Sequence, residues 1–581
     1  MTTLKNEIKL SDYLADYLHQ KEITHVFELS GGMITHILDS LSQKKKIKII
    51  SMHHEQGASF AAEAYGRLSN KPGVALATSG PGATNLLTGI GSCYFDSVPA
   101  IFITGQVNTH EIKKNNSIRQ LGFQETDIIS MAKPITKAAY LVSDANQFPR
   151  ILDKAFQIAM SGRPGPVLID IPMNIQRALI PALEGKSPQA KPAETTDLDF
   201  EKIMTLIQSA KKPLILAGRG LRASQSAELF LEMISNLQIP VCLSLLGLDV
   251  LPYENPLRVG FFGTYGNRWA NQAIADSDLL LVLGARLDIR QTGADVGFFS
   301  NRKIIQVDCE EGELNNRVQS TIKVHAELQF FLNQFCQYLQ QKKISLQYPE
   351  WLTEISKNKS QSHDTKELTL KSPEQINPNV LMHAVSKYNP YLSYSVDVGA
   401  HQMWAAQSLE LHKGQYFITS GGMGAMGYSL PASIGGALAL KSGFVVIVGD
   451  GSMQLNIQEL QTIYRNNIPI KIIVMNNQSL GMIKQFQDSY FESRYQSTVW
   501  GYSAPDFEKV ATAYGIQSKT VAKTSEVDSA LKWMFSKELK NNPCLLQVMI
   551  DSSTNIYPKT AFGRPLHQME PSYKPVEIES T

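Results

Sequence analysis

The sequence has no apolar run approaching the roughly 20 residues needed to cross a bilayer. Its opening stretch, MTTLKNEIKL, lacks the apolar centre of a secretory signal. Cysteine is scarce: Cys93, Cys242, Cys309, Cys336 and Cys544 are scattered, with no CxxC pair among them. An odd, dispersed set argues against a disulfide framework and a thiolate zinc site, and fits a reducing compartment. An excess of one charge is also missing, since 55 Lys and Arg face 53 Asp and Glu for a net charge of +2. That balance gives no electrostatic case for nucleic acid or an anionic membrane, and the run Lys44-Lys45-Lys46 reads as a solvated face. The expected location is the cytoplasm.

What is present is a chain of 581 residues, too long for one hydrophobic core. Short β-prone apolar runs alternate with helical patterns in three sets. VALAT (74–78), AIFIT (100–104) and VLIDI (167–171) form the first. LILA (214–217), VCLSLL (241–246), LLLVLG (279–284) and KIIQVD (303–308) form the second. YSVDVG (394–399), FVVIVGD (444–450), IKIIVMNN (470–477) and CLLQVMID (544–551) form the third. Continuous rather than alternating hydrophobicity predicts parallel strands covered on both faces. The polar stretches GKSPQAKPAETTD (185–197) and 356–373 read as connectors. The fold class is therefore α/β, with three doubly wound parallel-sheet domains over 1–184, 198–345 and 374–555. A linker is expected over 346–373 and an irregular tail over 556–581.

FVVIVGDGSMQLN, residues 444–456, ends a buried strand on Asp450 between two glycines. A carboxylate there is costly unless something positive meets it. Asn476-Asn477 follows after a helix and the next strand, 27 residues from Asp450 to Asn477, enough for one strand–helix–strand crossover. Neighbouring parallel strands would bring the two side by side. A carboxylate, an amide oxygen and a backbone carbonyl make a hard-oxygen site suited to Mg²⁺ and substrate phosphate. Gly451 lets the backbone approach those phosphates. Either dipeptide alone only ends a strand; the pair at this spacing is the signal.

This pattern resembles the signature of the thiamine diphosphate enzymes. The resemblance implies Mg²⁺ held by Asp450, Asn477 and the main chain of Ser479, with a thiamine diphosphate-binding fold in the first and third domains and a Rossmann-like middle domain. HHEQGASFAAEAYGR (53–67), TSGPGATNLLTGIGSCYFDSVPAIFITGQV (78–107) and GGMGAMGYSLPASIGG (421–436) resemble the acetohydroxyacid synthase branch, also called acetolactate synthases. By that likeness Glu55 activates the aminopyrimidine, Gly424 offers a backbone acceptor to its amine, and Met426 props the cofactor in a bent shape. His401 and Gln402, in DVGAHQMWAAQ, are expected at the diphosphate, and Gly32, Ser452 and Met482 join the cofactor-binding set. In the family the cofactor spans two subunits, so a homodimer or homotetramer is implied, with a small regulatory subunit as a further partner.

The implied donor is a 2-oxo acid, most simply pyruvate. A second 2-oxo acid presents a carboxylate, for which arginine is the natural partner. LGARLDIRQTG (283–293) places Arg290 at the family's acceptor-binding position. Phe123 and Gln124, in LGFQETD, match an aromatic and an amide of the same pocket, and Lys137 matches a nearby lysine. The expected activity is thus acetolactate synthase-like carboligation, in branched-chain amino acid biosynthesis. Several positions depart from the family. Phe486 replaces a tryptophan, Met33 follows Ser30-Gly31-Gly32 in place of an alanine, and Ala400 replaces a glutamine. The stretch YPKTAFGRPLHQMEP adds Lys559 and Arg564 as cations. These keep open an acceptor such as a nucleotide-linked keto sugar, and a pyruvate oxidase or 2-oxo acid decarboxylase is a further alternative.

After LILA, Gly218-Arg219-Gly220-Leu221-Arg222-Ala223 matches GxGxxA, a loop that can cradle a pyrophosphate or merely turn a strand into a helix. By resemblance it holds FAD, together with Arg286 and Asp308. A nucleotide-binding module without catalysis would need neither Glu55 nor the Asp450/Asn477 pair.

Overall fold

The computed structural model describes residues 7–115, 117–181 and 198–576; the connector at 185–197 lies outside them. Three six-stranded sheets follow one another along the chain, and the pairings within each are parallel. The first contains β1 (His25–Leu29), β2 (Lys48–Ser51), β3 (Gly73–Ala77), β4 (Ala100–Gln106), β5 (Ala138–Leu141) and β6 (Pro166–Pro172). Its spatial order is β2-β1-β3-β4-β6-β5. The second contains β7 (Pro213–Ala217), β8 (Val241–Leu243), β9 (Arg258–Phe261), β10 (Leu279–Leu283), β11 (Lys303–Asp308) and β12 (Ile322–His325). Its order, β9-β8-β7-β10-β11-β12, is that of a dinucleotide-binding sheet, as expected for the middle domain.

The third sheet contains β13 (Ser393–Val396), β14 (Phe417–Ile418), β15 (Phe444–Gly449), β16 (Ile470–Asn476), β17 (Gln517–Val521) and β18 (Cys544–Met549). Its order, β14-β13-β15-β16-β18-β17, repeats the topology of the first sheet. The strands read from the sequence are the apolar central ones. Edge strands such as β2 and β17 expose half or more of their residues, so their apolar signal is weak.

The first and third sheets are joined inside one chain by two helices laid face to face, Glu55–Ser69 and Ser429–Leu440. Their small residues decide this. A Cβ at Gly435 would sit 1.8 Å from the carbonyl oxygen of Ala61, so the two backbones touch where any side chain would separate them. Phe60, Tyr428, Ile434 and Val446 then share one core.

The stretch expected as a linker over 346–373 is in part a docked helix, Pro349–Gln361. Trp351 is buried and donates its indole N–H to the Pro213 carbonyl at 3.0 Å. The stretch reads as polar because a surface helix needs only one apolar face. Beyond it, Asp364 is buried against His383, whose Nε2 lies 2.9 Å away, and against the Ser408 hydroxyl. His383 Nδ1 faces Glu410 at 2.8 Å. Among the described residues His363, Asp364 and His383 are the one group of three or more His, Cys, Asp or Glu side chains whose ligand atoms cluster closely enough to hold a metal. Both His383 nitrogens already meet carboxylates, so the cluster closes as an ion-pair network.

That network should be visible in stability. Burial alone would lower the His383 pKa, but the hydrogen bonds its ring donates to Asp364 and Glu410 outweigh it and raise it to about 9. A folded value above the ordinary 6.5 means the contribution is complete below pH 6.5 and is lost as pH rises through about 9. We expect His383→Ala to cost about 3–5 kcal/mol near pH 6, since it strands a buried carboxylate. Urea unfolding at pH 6 and pH 9.5 checks this, with the gap between wild type and variant narrowing at the higher pH.

The described part of the tail, up to residue 576, is tied down. Lys559–Thr560 pairs antiparallel with Met569–Glu570, Thr560 N donates to Thr264 O at 2.7 Å, and Arg268 donates to the Met569 carbonyl at 3.2 Å. The tail therefore seals onto the central domain.

Candidate active site

β15 and β16 are parallel neighbours with Gly449 opposite Met475, so Asp450 and Asn477 emerge side by side from adjacent strand ends. Asp450 is 2% exposed, Asn477 6% and Ser479 3%. Asn477 Oδ1 accepts the Ser479 amide at 3.3 Å. Asp450 Oδ2 and Ser479 Oγ have no hydrogen-bond partner among the described residues. A buried carboxylate oxygen left in this state is expensive. Burial pushes Asp450 up to about 6, while Tyr502 and the amides of Gly451 and Ser479 pull the other way. A divalent cation at this point would supply the missing partner, and the oxygen-rich donor set fits Mg²⁺.

The same edge carries the other expected diphosphate contacts. In doubly wound sheets ligands bind where the strand order reverses, here between β13 and β15. His401 follows β13 and accepts the Gly449 amide on Nε2 at 3.2 Å. Burial lowers its pKa to about 3, so the ring is neutral. Gln402 is turned to the Thr419 hydroxyl at 2.6 Å, and Ser452 Oγ donates to Val398 O at 2.9 Å. Gly424 takes a left-handed φ of +65°. Met426 extends its methyl toward Gly451, and Met482 packs half-buried on a hydrophobic core that includes Ala400.

Glu55 opens the helix Glu55–Ser69 directly after the β2 segment, and Asn85 Nδ2 donates to its Oε2 at 2.9 Å. The junction is gripped from the third domain: Glu459 Oε1 accepts the His53 amide at 3.1 Å, and Asn456 donates to Gln56 at 3.2 Å. Burial raises Glu459 to about 7. Gly32 lies in the turn after β1. There Met33 N donates to Thr78 Oγ1 at 3.2 Å and Met33 O accepts Gln176 at 2.7 Å.

The expected substrate-pocket residues are spread within one chain. Phe123 is 80% exposed, and Gln124 packs against Gly80. Arg290 is exposed at the rim of the central domain, its carbonyl accepting the Thr264 amide at 2.7 Å. Lys137 donates to Ser161 O at 2.6 Å, and burial lowers its pKa. Phe486 clusters with Tyr490, ring centroids 4.7 Å apart, and with Phe491. Ala400 lies beside Gly481 and Asn477.

A cavity of about 380 Å³ opens at the boundary of the central domain with the other two, lined by Arg219, Gly220, Ser244, Arg286, Arg290 and Asp308. Gly218 N donates to Leu283 O and Gly220 N to Gly284 O, which folds the GxGxxA turn against the end of β10. Arg286 pairs with Asp288 at 2.9 Å, and burial raises the Asp308 pKa.

Two buried acids of this region were not singled out from the sequence. Asp397 accepts the amides of Val398, Gly427 and Ser429, so it fixes the turn after Met426. Asp96 accepts the amides of Gly421 and Gly422. Asp397 stands at a strand end just as Asp450 does, which is a usable signal; Asp96 in YFDSVP carries none, because the two amides it holds lie over three hundred residues away.

Three family models match the chain. "Thiamine pyrophosphate enzyme, N-terminal TPP binding domain" covers residues 8–131, the central domain 200–335, and the C-terminal TPP binding domain 397–548. Acetolactate synthase 1, chloroplastic, of Nicotiana tabacum is 36% identical over 96% of this chain and 84% of its own length. The acetolactate synthase large subunit of Lactococcus lactis subsp. lactis (strain IL1403) is 34% identical over 96% of the chain and 95% of its own. The acetolactate synthase isozyme 2 large subunit of Escherichia coli (strain K12) is 34% identical over 94% and 96%. Matched in all three domains and along nearly its whole length, this chain belongs to the acetolactate synthase family of thiamine pyrophosphate enzymes.

Proposed function

We propose that the protein is a thiamine diphosphate- and Mg²⁺-dependent carboligase that decarboxylates pyruvate and joins the two-carbon unit to a second 2-oxo acid. The observation that carries this reading is the pair of buried, unpartnered oxygens, Asp450 Oδ2 and Ser479 Oγ, at adjacent strand ends. When bound, thiamine diphosphate supplies a carbon nucleophile and an electron sink for the loss of CO₂. Asp450, Asn477 and the Ser479 carbonyl would hold the ion. Glu55, oriented by Asn85, would hold and exchange a proton with the cofactor's aminopyrimidine. The Gly424 carbonyl would accept a hydrogen bond from the cofactor, and Met426 would support it. Arg290 receives the acceptor carboxylate, with Phe123 and Gln124 lining the pocket. A homo-oligomer belongs to the same reading, supported by the match along nearly the whole chain to acetolactate synthases.

FAD would be held in the 380 Å³ cavity, which Gly220, Arg286 and Asp308 line, with Gly218 opening the adjoining turn, and its role would be structural rather than redox. "Large subunit" in the names of two relatives supports a small-subunit partner. Among the described residues no helix is long and apolar enough to cross a membrane, in keeping with a cytoplasmic biosynthetic role. A keto-sugar acceptor is not favoured. Lys559, which would have helped bind it, is buried in an ion pair with Glu570 at 3.2 Å, and Arg564 donates to the Lys574 carbonyl.

The test is product identity. Purified protein with pyruvate, thiamine diphosphate, Mg²⁺ and FAD is expected to release acetolactate and CO₂. Acetaldehyde alone would mean a decarboxylase, acetate with peroxide an oxidase, and no product without added sugar a different acceptor.

A further inference from the structure

The loop carrying Gly424 and Met426 begins at Thr419-Ser420-Gly421-Gly422, and its anchor comes from another domain. Asp96, 1% exposed, follows the helix Leu87–Phe95 of the first domain. Its Oδ2 accepts the Gly421 amide at 2.9 Å and its Oδ1 the Gly422 amide at 2.7 Å. Arg67 holds the carboxylate from behind. Its Nη2 lies 3.0 Å from Asp96 and 2.5 Å from Glu63, and Nη1 donates to Thr419 O at 3.2 Å. A Cβ at Gly422 would lie 2.6 Å from Phe95 Cβ, so the loop rests directly on this support.

The central domain reaches the same point. Arg219, between the two glycines of the GxGxxA turn, donates Nε to the Asp96 carbonyl at 2.6 Å. Leu246 lies where a Cβ on Gly421 would be, at 2.7 Å. Arg67, Asp96, Gly421 and Gly422 themselves line the central cavity. All three domains thus converge on two consecutive amide groups, three and two residues before Gly424.

We propose that Asp96 is a positioning residue for the thiamine-facing loop. Its carboxylate, backed by Arg67, fixes the Gly421 and Gly422 amides and through them the carbonyl of Gly424 and the side chain of Met426. A carboxylate suits the task because it offers an acceptor to each amide, with charge-assisted strength. Asparagine in its place keeps one acceptor and turns an NH₂ toward the second amide, leaving donor against donor and Arg67 short of a counter-charge.

This inference rests on the thiamine reading for its catalytic consequence but not for its structural one, and the experiment separates the two. Amide hydrogen exchange in the cofactor-free protein is expected to show Gly421 and Gly422 protected in wild type and at least about 10-fold faster in Asp96→Asn, the size of a lost charged hydrogen bond. In the loaded enzyme we expect kcat to fall about 10²-fold, the cost of a slight misplacement. The Kd for thiamine diphosphate should move by less than a factor of ten, because the metal anchor at Asp450 is untouched. A purely structural Asp96 would lower the unfolding temperature and leave kcat per bound cofactor and exchange at 421–422 unchanged; that result overturns the proposal. Should Asp96→Asn fail to fold, Arg67→Lys is expected to show the same pattern at smaller size, and unchanged exchange there overturns it equally. A wild type inactive on pyruvate would refute the functional reading while the exchange data still decide the role of Asp96.

Discussion

Glu55→Gln is expected to bind thiamine diphosphate within a few-fold of wild type and to lose about 10²–10⁴ in kcat, the usual worth of a positioned acid–base group. The amide is isosteric and can still accept the hydrogen bond that Asn85 now gives to Oε2 at 2.9 Å, so the helix start and its packing survive. What it cannot do is release or take up a proton. Because Glu459 and Asn456 secure residues 53–56 independently, the change should leave the unfolding temperature within a degree or two. Calorimetric titration with the cofactor beside a pyruvate turnover assay separates the two effects. Unchanged turnover removes Glu55 from the chemistry.

Asp450→Ala is expected to weaken Mg²⁺-dependent thiamine diphosphate binding by more than about 100-fold, beyond the loss typical for residues that only support a metal ligand. The cofactor-free variant should be no less stable than wild type, because the wild type carries a buried carboxylate with one oxygen unpartnered. The difference appears on adding cofactor. Wild type gains about 2.7 kcal/mol at a hundred times its Kd, and the variant gains at most about 0.4 kcal/mol at that concentration. Thermal shift with and without Mg²⁺ reads both halves. Wild-type affinity in the variant would place the metal elsewhere.

Much of the architecture was legible in the sequence. LLLVL and FVVIVG are buried on both faces and therefore continuously apolar, which marks central parallel strands without further help. The adjacency of Asp450 and Asn477 was legible as well, since one strand–helix–strand crossover has a nearly fixed length. The helix at Pro349–Gln361 was hidden because only Trp351 and Ile355 are buried in it, too few to outweigh its lysines and serines. The His383 network was hidden for a different reason: Asp364 and Glu410 are ordinary acids until the fold encloses them.

The sequence by itself determined the local chemistry: three α/β units, a carboxylate and an amide at neighbouring strand ends, a glutamate at a helix start. These follow from periodicities and spacings short enough for the chain to impose. Only the tertiary structure decided how the units support one another, with Asp96 beneath the Gly421–Gly422 amides, Glu459 behind the start of the Glu55 helix, and the tail sealed onto the central domain. Those contacts join residues hundreds of positions apart. Their energy comes from burying charge beside its partner, and whether a charge is buried depends on the complete packing of the molecule rather than on its neighbours along the chain.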